Sequence, residues 1–172
     1  MKIALETVTI MQTNFVNTLA EGAAMVDRVG RPNFRLMMDI FHLNLEEKDL
    51  YEAIRAYSSY NIHVHLADNN RRYPGQCGLD FEKILTVFRE CGYDGNYCTE
   101  IFQLPSMEEA ARESIRYLRP IADRVYGGNT HCNEAGRNKD GSGAAVWRGC
   151  RYERGTKGNT SKAVPCIPQQ AD

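Results

Sequence analysis

Short apolar runs alternate with longer amphipathic segments over residues 1–127. The runs KIALE, FRLMMD, NIHVHLAD and YDGNYCTEI have the length and the apolar content of buried strands. Each run is followed by a segment whose apolar residues recur at helical spacing. A strand and then a helix, repeated four times, predicts an α/β fold built from parallel β/α units.

Polar residues mark the expected helix starts. Asn14 can cap the first helical segment, Asp80 opens DFEKILTVFRECG, and Ser106 with Glu109 has the spacing of a capping box. The stretch IFHLNL, between the second strand and the second helical segment, is interpreted as a loop.

One side chain that can bind a metal stands at the end of each predicted strand. These residues are Glu6, Asp39, His65 and Glu100. A single acid at a strand end is usually a solvated or capping group, but in a parallel β/α barrel the carboxyl ends of all strands meet at one face. Two glutamates, an aspartate and an imidazole suit Mn, Mg or Co better than a structural zinc. The sequence therefore predicts a divalent-metal site at this face.

Composition limits the classes of protein to consider. The 172 residues, 42% of them hydrophobic, can build the core of one ordinary domain. A net charge of −1 provides no basic surface for nucleic acid and none for an anionic membrane. Six cysteines occur without a CxxC pair, and residues 1–15 have neither the pattern of a signal peptide nor an apolar run of membrane-spanning length. We expect reduced cysteines and a cytoplasmic location.

The last part of the chain differs in character from the rest. Residues 128–172 are rich in Gly, Asn, Lys and Arg and have no sustained apolar period. Such a segment buries too little apolar surface to offset the entropy of ordering its backbone. We expect a folded unit over residues 1–127 and an irregular, disordered or loosely packed tail over residues 128–172.

Three segments carry a resemblance to a known family: DIFHLN, HVHLADNNRRYPGQCGLDF and YDGNYCTEI. In order and spacing they resemble the C-terminal half of the sugar isomerase and epimerase superfamily with xylose-isomerase-like TIM barrels. The nearest similarity is to ketose 3-epimerases and hydroxypyruvate-isomerase-like proteins, and it extends over about residues 1–125. The resemblance implies the last four of eight β/α units, with the same four residues as metal ligands.

The resemblance also implies a reaction and its participants. It implies epimerisation or isomerisation of a ketose or sugar phosphate through an enediolate, with Glu6 and Glu100 exchanging protons on opposite faces of the carbon next to the carbonyl. His42 and Arg71 match residues that contact the substrate. Gln12 stands where the family has a glutamate, so it can bind substrate by hydrogen bonds but cannot act as a base.

The neighbouring loop departs from the family pattern as well. Thr7, Thr9 and Ile10 replace the proline, asparagine and arginine of that pattern. A half barrel would also expose two sheet edges. We therefore expect a fragment that forms a homo-oligomer or pairs with a missing barrel half.

Two other functions remain open. One is a catalytically inactive half barrel that still binds metal, which Gln12 and the altered loop favour. The other, less favoured, is a phosphodiesterase resembling apurinic-site endonucleases, which have more histidines and a basic groove. Only His42, His63 and His65 lie in the barrel segment. We expect His63 to lie on the opposite face of its strand from His65 and to pack against a helix.

Overall fold

The computed structural model describes residues 1–127 together with residues 146–147 and 150–151. Four strands form one sheet in chain order: β1 (Ile3–Glu6), β2 (Phe34–Asp39), β3 (Asn61–Leu66) and β4 (Tyr97–Thr99). All three neighbouring pairs are parallel, so each strand is joined to the next by a crossover. The predicted α/β fold of parallel β/α units is confirmed.

The helices of residues 1–127 are α1 (Leu19–Val29), α2 (Ile40–Glu46), α3 (Leu50–Tyr57), followed by a 3₁₀ turn over Ser58–Tyr60, then α4 (Phe81–Glu90) and α5 (Met107–Tyr126). Helices α1 to α4 lie in the crossovers between the strands, and α5 follows β4. None of the described helices is both long and apolar enough to cross a membrane.

The helices and the sheet share one hydrophobic core. Alternate strand residues, among them Leu36, Met38, Val64 and Leu66, are fully buried in a cluster with apolar side chains of the helices. Because side chains alternate along a strand, Asp39 and His65 lie on the other face of the sheet. The helices pack on one face of the sheet, so polar side chains such as Asp39 and His65 can occupy the other face.

The segment interpreted as a loop is a helix. Asp39 ends β2 and also caps α2, because its Oδ1 accepts hydrogen bonds from the amides of Phe41 at 2.9 Å and His42 at 3.3 Å. Ile40 and Leu43 are fully buried at helical spacing. The interpretation as a loop was wrong because an aspartate that was expected to bind metal was not also considered as a cap.

The cap of α1 also differs from the expectation. Thr18 accepts a hydrogen bond from the Glu21 amide, and the Glu21 carboxylate accepts one from the Thr18 amide, which makes a complete capping box. Asn14 lies before the true helix start, so its assignment as the cap was wrong. The other two expected caps, Asp80 and Ser106, do accept hydrogen bonds from the first turns of α4 and α5.

A buried aspartate organises the loop between β3 and α4. The carboxylate of Asp68, which is fully buried, accepts hydrogen bonds from four backbone amides: those of Asn69, Gly75, Cys77 and Leu79. Its backbone carbonyl accepts a hydrogen bond from Arg71, which has a left-handed φ of 59°. The Arg71 carbonyl in turn accepts one from Phe102, in the loop after β4. Asp68 therefore fixes the backbone that carries Arg71.

Little of the C-terminal segment is described. Two short strands, β5 (Val146–Trp147) and β6 (Cys150–Arg151), pair in antiparallel fashion. The rest of the predicted tail, residues 128–172, lies outside the described residues, so the division of the chain at residue 127 stays a prediction.

We predict that Asp68→Asn lowers the free energy of unfolding by about 2–4 kcal/mol. Oδ2 of Asp68 accepts hydrogen bonds of 2.9 Å from the amides of Gly75 and Cys77. An asparagine keeps one acceptor oxygen but places an NH₂ group, which cannot accept, against these two amides. Urea denaturation measures the loss.

The matched control is Asp80→Asn. The Asp80 carboxylate caps α4 by accepting a hydrogen bond from the Lys83 amide. Asparagine caps a helix as well as aspartate does, so the control should change stability by less than about 0.5 kcal/mol. Equal losses in the two variants would contradict the role given to Asp68.

Candidate metal centre

The four residues predicted to bind a metal lie together at the carboxyl ends of the strands. Glu6 and Asp39 end β1 and β2, His65 is the penultimate residue of β3, and Glu100 directly follows β4. One ligand atom from each lies within 4.8 Å of the others. His65 Nδ1 is 2.7 Å from Glu100 Oε2, 3.5 Å from Asp39 Oδ2 and 3.9 Å from Glu6 Oε1. Their convergence agrees with the sequence, and their role as ligands stays a prediction.

Two carboxylate oxygens that face into this cluster lack hydrogen bonds. Glu6 Oε1 and Asp39 Oδ2 are buried without a hydrogen-bond partner among the described residues. Buried polar atoms in folded proteins nearly always have a partner, so two orphaned oxygens in one cluster need a cause. Opposite ligands of an ion such as Mg lie about 4.2 Å apart, close to the spread of this cluster. The donor set and the orphaned atoms fit a divalent cation.

The same crowding shifts the pKa values of the cluster. Burial, and then the charges of Asp39 and Glu100, raise the pKa of Glu6 to about 7. Burial opposes protonation of His65, but the carboxylates of Asp39 and Glu100 outweigh it and raise its pKa to about 9. Contact with His65 lowers the pKa of Glu100. His65 and Arg71 lower the pKa of Asp39 in spite of its burial. Without a metal, protons on Glu6 and His65 relieve the repulsion.

Arg71 is the second cation beside the carboxylates. Its Nη1 lies 2.6 Å from Asp39 Oδ1 and its Nη2 lies 3.2 Å from Glu100 Oε2. The guanidinium also stacks over the ring of Phe41, with its central carbon 4.9 Å from the ring centre. Only 12% of the side chain is exposed. The cluster is therefore closed on this side by a fixed positive charge.

An open cavity of about 420 Å³ adjoins the cluster. It is lined mostly by polar side chains, with three apolar ones: Gln12, Phe41, Asn69, Asn70, Arg71, Glu100, Ile101 and Phe102. Gln12 and Arg71, which the resemblance assigns to substrate, thus share one cavity with Glu100. A small polar ligand in this cavity would reach the acidic cluster directly.

His42, the third residue assigned to substrate, lies in the first turn of α2. It is 2% exposed, and its Nδ1 accepts a hydrogen bond of 3.3 Å from the Thr9 amide. Burial lowers its pKa. The structure thus places all the predicted site residues at the carboxyl end of the sheet.

The expectation for His63 was wrong. Residues two apart on a strand point to the same face, so alternation places His63 with His65 and not opposite it. Their rings are 5.0 Å apart at a near-perpendicular angle. Burial, and then the charge of His65, lower the pKa of His63 to about 4. His63 therefore lies beside the cluster as a neutral ring.

Sequence reasoning missed three residues that hold the site in place: Thr9, Glu46 and Asp68. An aspartate at the end of a predicted strand and before a Pro-Gly turn was a usable signal for Asp68. For Thr9 and Glu46 no local signal exists, because their hydrogen bond joins residues that are 37 positions apart.

A parallel β/α sheet with its polar cluster at the carboxyl ends of the strands is the arrangement of β/α-barrel proteins. The chain belongs to the xylose isomerase-like TIM barrel family, whose model matches residues 1–121.

Individual relatives are sugar epimerases. The chain is 34% identical over 100 residues to the D-psicose 3-epimerase of Agrobacterium fabrum, covering 58% of this chain and 35% of that protein. The crystal structure of the 3-keto-D-glucoside 4-epimerase from E. coli superimposes with a TM-score of 0.65 and 29% identity over 69% of this chain and 46% of that one. A D-psicose 3-epimerase structure determined in the presence of D-fructose gives a TM-score of 0.64 and 28% identity, covering 74% and 50%. The chain thus spans between a third and a half of the length of these relatives.

We predict that the affinity for Mn²⁺ rises with pH. Metal ligands must be deprotonated, and the pKa values of about 7 for Glu6 and about 9 for His65 mean that protons compete with the ion below pH 9. The association constant should rise by about tenfold per pH unit between pH 7 and 9, more steeply below pH 7, and level off above 9. Titration calorimetry at about pH 6, 7 and 8 measures the slope.

Two variants test the origin of this slope. Asp39→Ala should remove high-affinity binding, because Asp39 is a fully buried member of the cluster. Glu108→Gln changes an exposed residue of α5 outside the cluster and should bind as the wild type does. A pH-independent affinity, or binding that survives in Asp39→Ala, would contradict the assignment.

Proposed function

We propose that this chain carries the metal-binding half of a sugar epimerase or isomerase that acts on a ketose or a ketose phosphate. The convergence of Glu6, Asp39, His65 and Glu100 within 4.8 Å is the observation that carries the proposal. The names of the relatives, which are 3-epimerases and 4-epimerases of sugars, support the choice of reaction.

The positions of the two glutamates suit proton transfer on both faces of one carbon. Glu6 belongs to β1 and Glu100 follows β4, the two outer strands of the four-stranded sheet, whereas Asp39 and His65 come from the inner strands. A bound Mn, Mg or Co ion would polarise the substrate carbonyl and acidify the neighbouring carbon. One glutamate, in its ionised form, would take the proton there and leave an enediolate, and the other, protonated at that stage, would donate its own proton to the opposite face. Two opposed carboxylates invert the centre, whereas one alone favours isomerisation.

Three further residues orient the substrate in this proposal. Arg71 and His42 donate hydrogen bonds to substrate oxygens, and Gln12 contacts the substrate from the loop after β1. Arg71 and Gln12 line the cavity beside Glu100, which supports their assignment. Since Arg71 is held by Asp39 and Glu100, it has a fixed orientation before the substrate arrives.

We also propose that a second copy of the chain covers the open side of the sheet. The relatives are two to three times longer than the matched segment, and this half contributes four strands of a barrel. Large apolar side chains are exposed on the loops that follow the two outer strands: Ile10, Met11, Phe15, Phe102 and Leu104. Large apolar side chains exposed in groups are a common mark of interaction sites.

We predict that Glu100→Gln abolishes exchange of the substrate α-proton with deuterated water and leaves the fold intact. Glutamine keeps the size of the side chain but cannot take a proton, and Glu100 is 53% exposed and contributes little to packing. Proton NMR over a panel of ketoses and their phosphates, with Mn²⁺ or Mg²⁺ present, measures exchange. Thermal unfolding checks the fold, and Glu108→Gln is the control.

The same measurement separates the two readings of this chain. Exchange in the wild type that persists unchanged in Glu100→Gln would refute the role of Glu100. Mn²⁺ binding without exchange on any sugar would refute the epimerase proposal and favour an inactive half barrel that keeps its metal.

We predict that the chain alone sediments at twice its own mass or more. Association would bury the exposed apolar side chains of the loops after β1 and β4. Sedimentation velocity at several protein concentrations measures this mass. Replacement of Phe15 and Phe102 by Ser should shift the equilibrium toward the monomer. A monodisperse monomer with cooperative unfolding would contradict the proposed pairing.

A further inference from the structure

One carboxylate oxygen at the end of α2 accepts two hydrogen bonds from the loop after β1. Glu46 Oε1 accepts a hydrogen bond of 2.5 Å from the Thr9 hydroxyl and one of 2.8 Å from the Ile10 amide. Thr9 is 2% exposed, so the contact lies largely away from water. Glu46 is the last residue of α2, the helix that carries His42 in its first turn. One side chain thus couples the loop to the helix that bears the histidine.

Thr9 transmits this contact to two residues of the proposed site. Its backbone amide donates to His42 Nδ1 at 3.3 Å, and its carbonyl accepts a hydrogen bond of 2.8 Å from the Gln12 amide. Because Glu46 holds Thr9 in place, it holds the Thr9 amide against Nδ1 of His42. It also sets the turn that brings Gln12 to the cavity.

The Thr9 amide determines where His42 carries its proton. A backbone amide always has its hydrogen, so Nδ1 must accept and cannot be protonated while this bond exists. The ring proton is then on Nε2, and Nε2 is the nitrogen left to donate to a ligand. Such a group suits a carbonyl or hydroxyl oxygen of a substrate as its acceptor.

We propose that Glu46 is a positioning residue, which holds Thr9 against His42 and thereby keeps His42 in the form that donates from Nε2. The proposal rests on the proposed function only where it concerns the substrate. Its structural part, the tautomer of His42, is independent of turnover. Glu46 itself contacts neither the cavity nor the acidic cluster among the described residues.

The next residue provides a matched control. Glu47 Oε1 accepts a hydrogen bond of 2.7 Å from the amide of Leu19, at the start of α1. Glu47 thus also links the segment after β1 to the end of α2, but among the described residues its side chain has no hydrogen bond to Thr9 or His42. A purely structural role predicts the same consequences for both residues, whereas a positioning role predicts a difference.

The first experiment reads the tautomer directly. Long-range ¹H–¹⁵N NMR spectra of the full chain, with the His42 signals assigned by their loss in His42→Gln, should show an unprotonated Nδ1 and a protonated Nε2. Glu46→Ala should introduce signals of the Nδ1-protonated form, and Glu46→Gln, which keeps an acceptor oxygen, should restore the wild-type pattern. Glu47→Ala should leave the pattern unchanged. A protonated Nδ1 in the wild type, or the same tautomer mixture in Glu46→Ala and Glu47→Ala, would overturn the proposal.

The second experiment measures the consequence for turnover, using exchange of the α-proton with deuterated water. Glu46→Ala should lower kcat by about tenfold, the loss of one oriented hydrogen bond, and Glu46→Gln should recover most of it. Glu47→Ala should keep kcat within about twofold when folded protein is compared. Equal kcat values for wild type and Glu46→Ala would refute the positioning role in catalysis. If neither the wild type nor any variant exchanges the α-proton, the proposed function fails. The NMR result still decides whether Glu46 controls the tautomer of His42.

Discussion

Repulsion among three carboxylates is the constraint that shapes this end of the molecule. Glu6, Asp39 and Glu100 offer oxygens within 4.8 Å of one another. Two unit charges 4 Å apart repel by about 4 kcal/mol at an effective dielectric constant of 20, so the ionised trio would cost a large part of the stability of a domain. Arg71 and protonated His65 balance the charge in the structure. A divalent cation would do the same from the centre of the cluster and would allow Glu6 and His65 to release their protons.

The scaffold holds these charges in place by register and by one loop. Asp39 lies opposite His65 in the β2–β3 pairing, and both share the face that the helices leave open. A slip of one residue in either strand would send its ligand into the apolar side, which is filled by residues such as Leu36 and Leu66. The pairing register of the strands is therefore determined by the alternation of apolar and polar residues along them. Arg71 needs a separate device, since it lies on a loop, and the four amide hydrogen bonds of Asp68 provide it.

The positions of the residues at the strand ends could be predicted from the sequence. Predictions failed where one residue has two roles, and where two residues far apart in the sequence form a hydrogen bond. The four cluster residues were predictable because parallel strands bring their carboxyl ends to one edge, whatever the loops do. α2 was missed because Asp39 is both a cluster member and a helix cap. His63 was misplaced by an error in the use of strand alternation. The hydrogen bond between Thr9 and Glu46 has no local signature, because only the folded sheet brings the loop after β1 to the end of α2.

The proposed metal site and the proposed substrate site have separate structural origins in this chain. The cluster is formed by residues at the ends of four strands that pair with one another, so its geometry is complete within residues 1–127. Departures from the family pattern, by contrast, fall on the loop after β1, at Thr7, Thr9, Ile10 and Gln12. Gln12 of this loop also lines the open cavity. Since loops vary more easily than the strands that support them, a change there would alter which ligand fits the cavity while the four-residue cluster persists. An active and an inactive form of this half barrel would therefore share the same metal ligands and differ in the wall around the substrate.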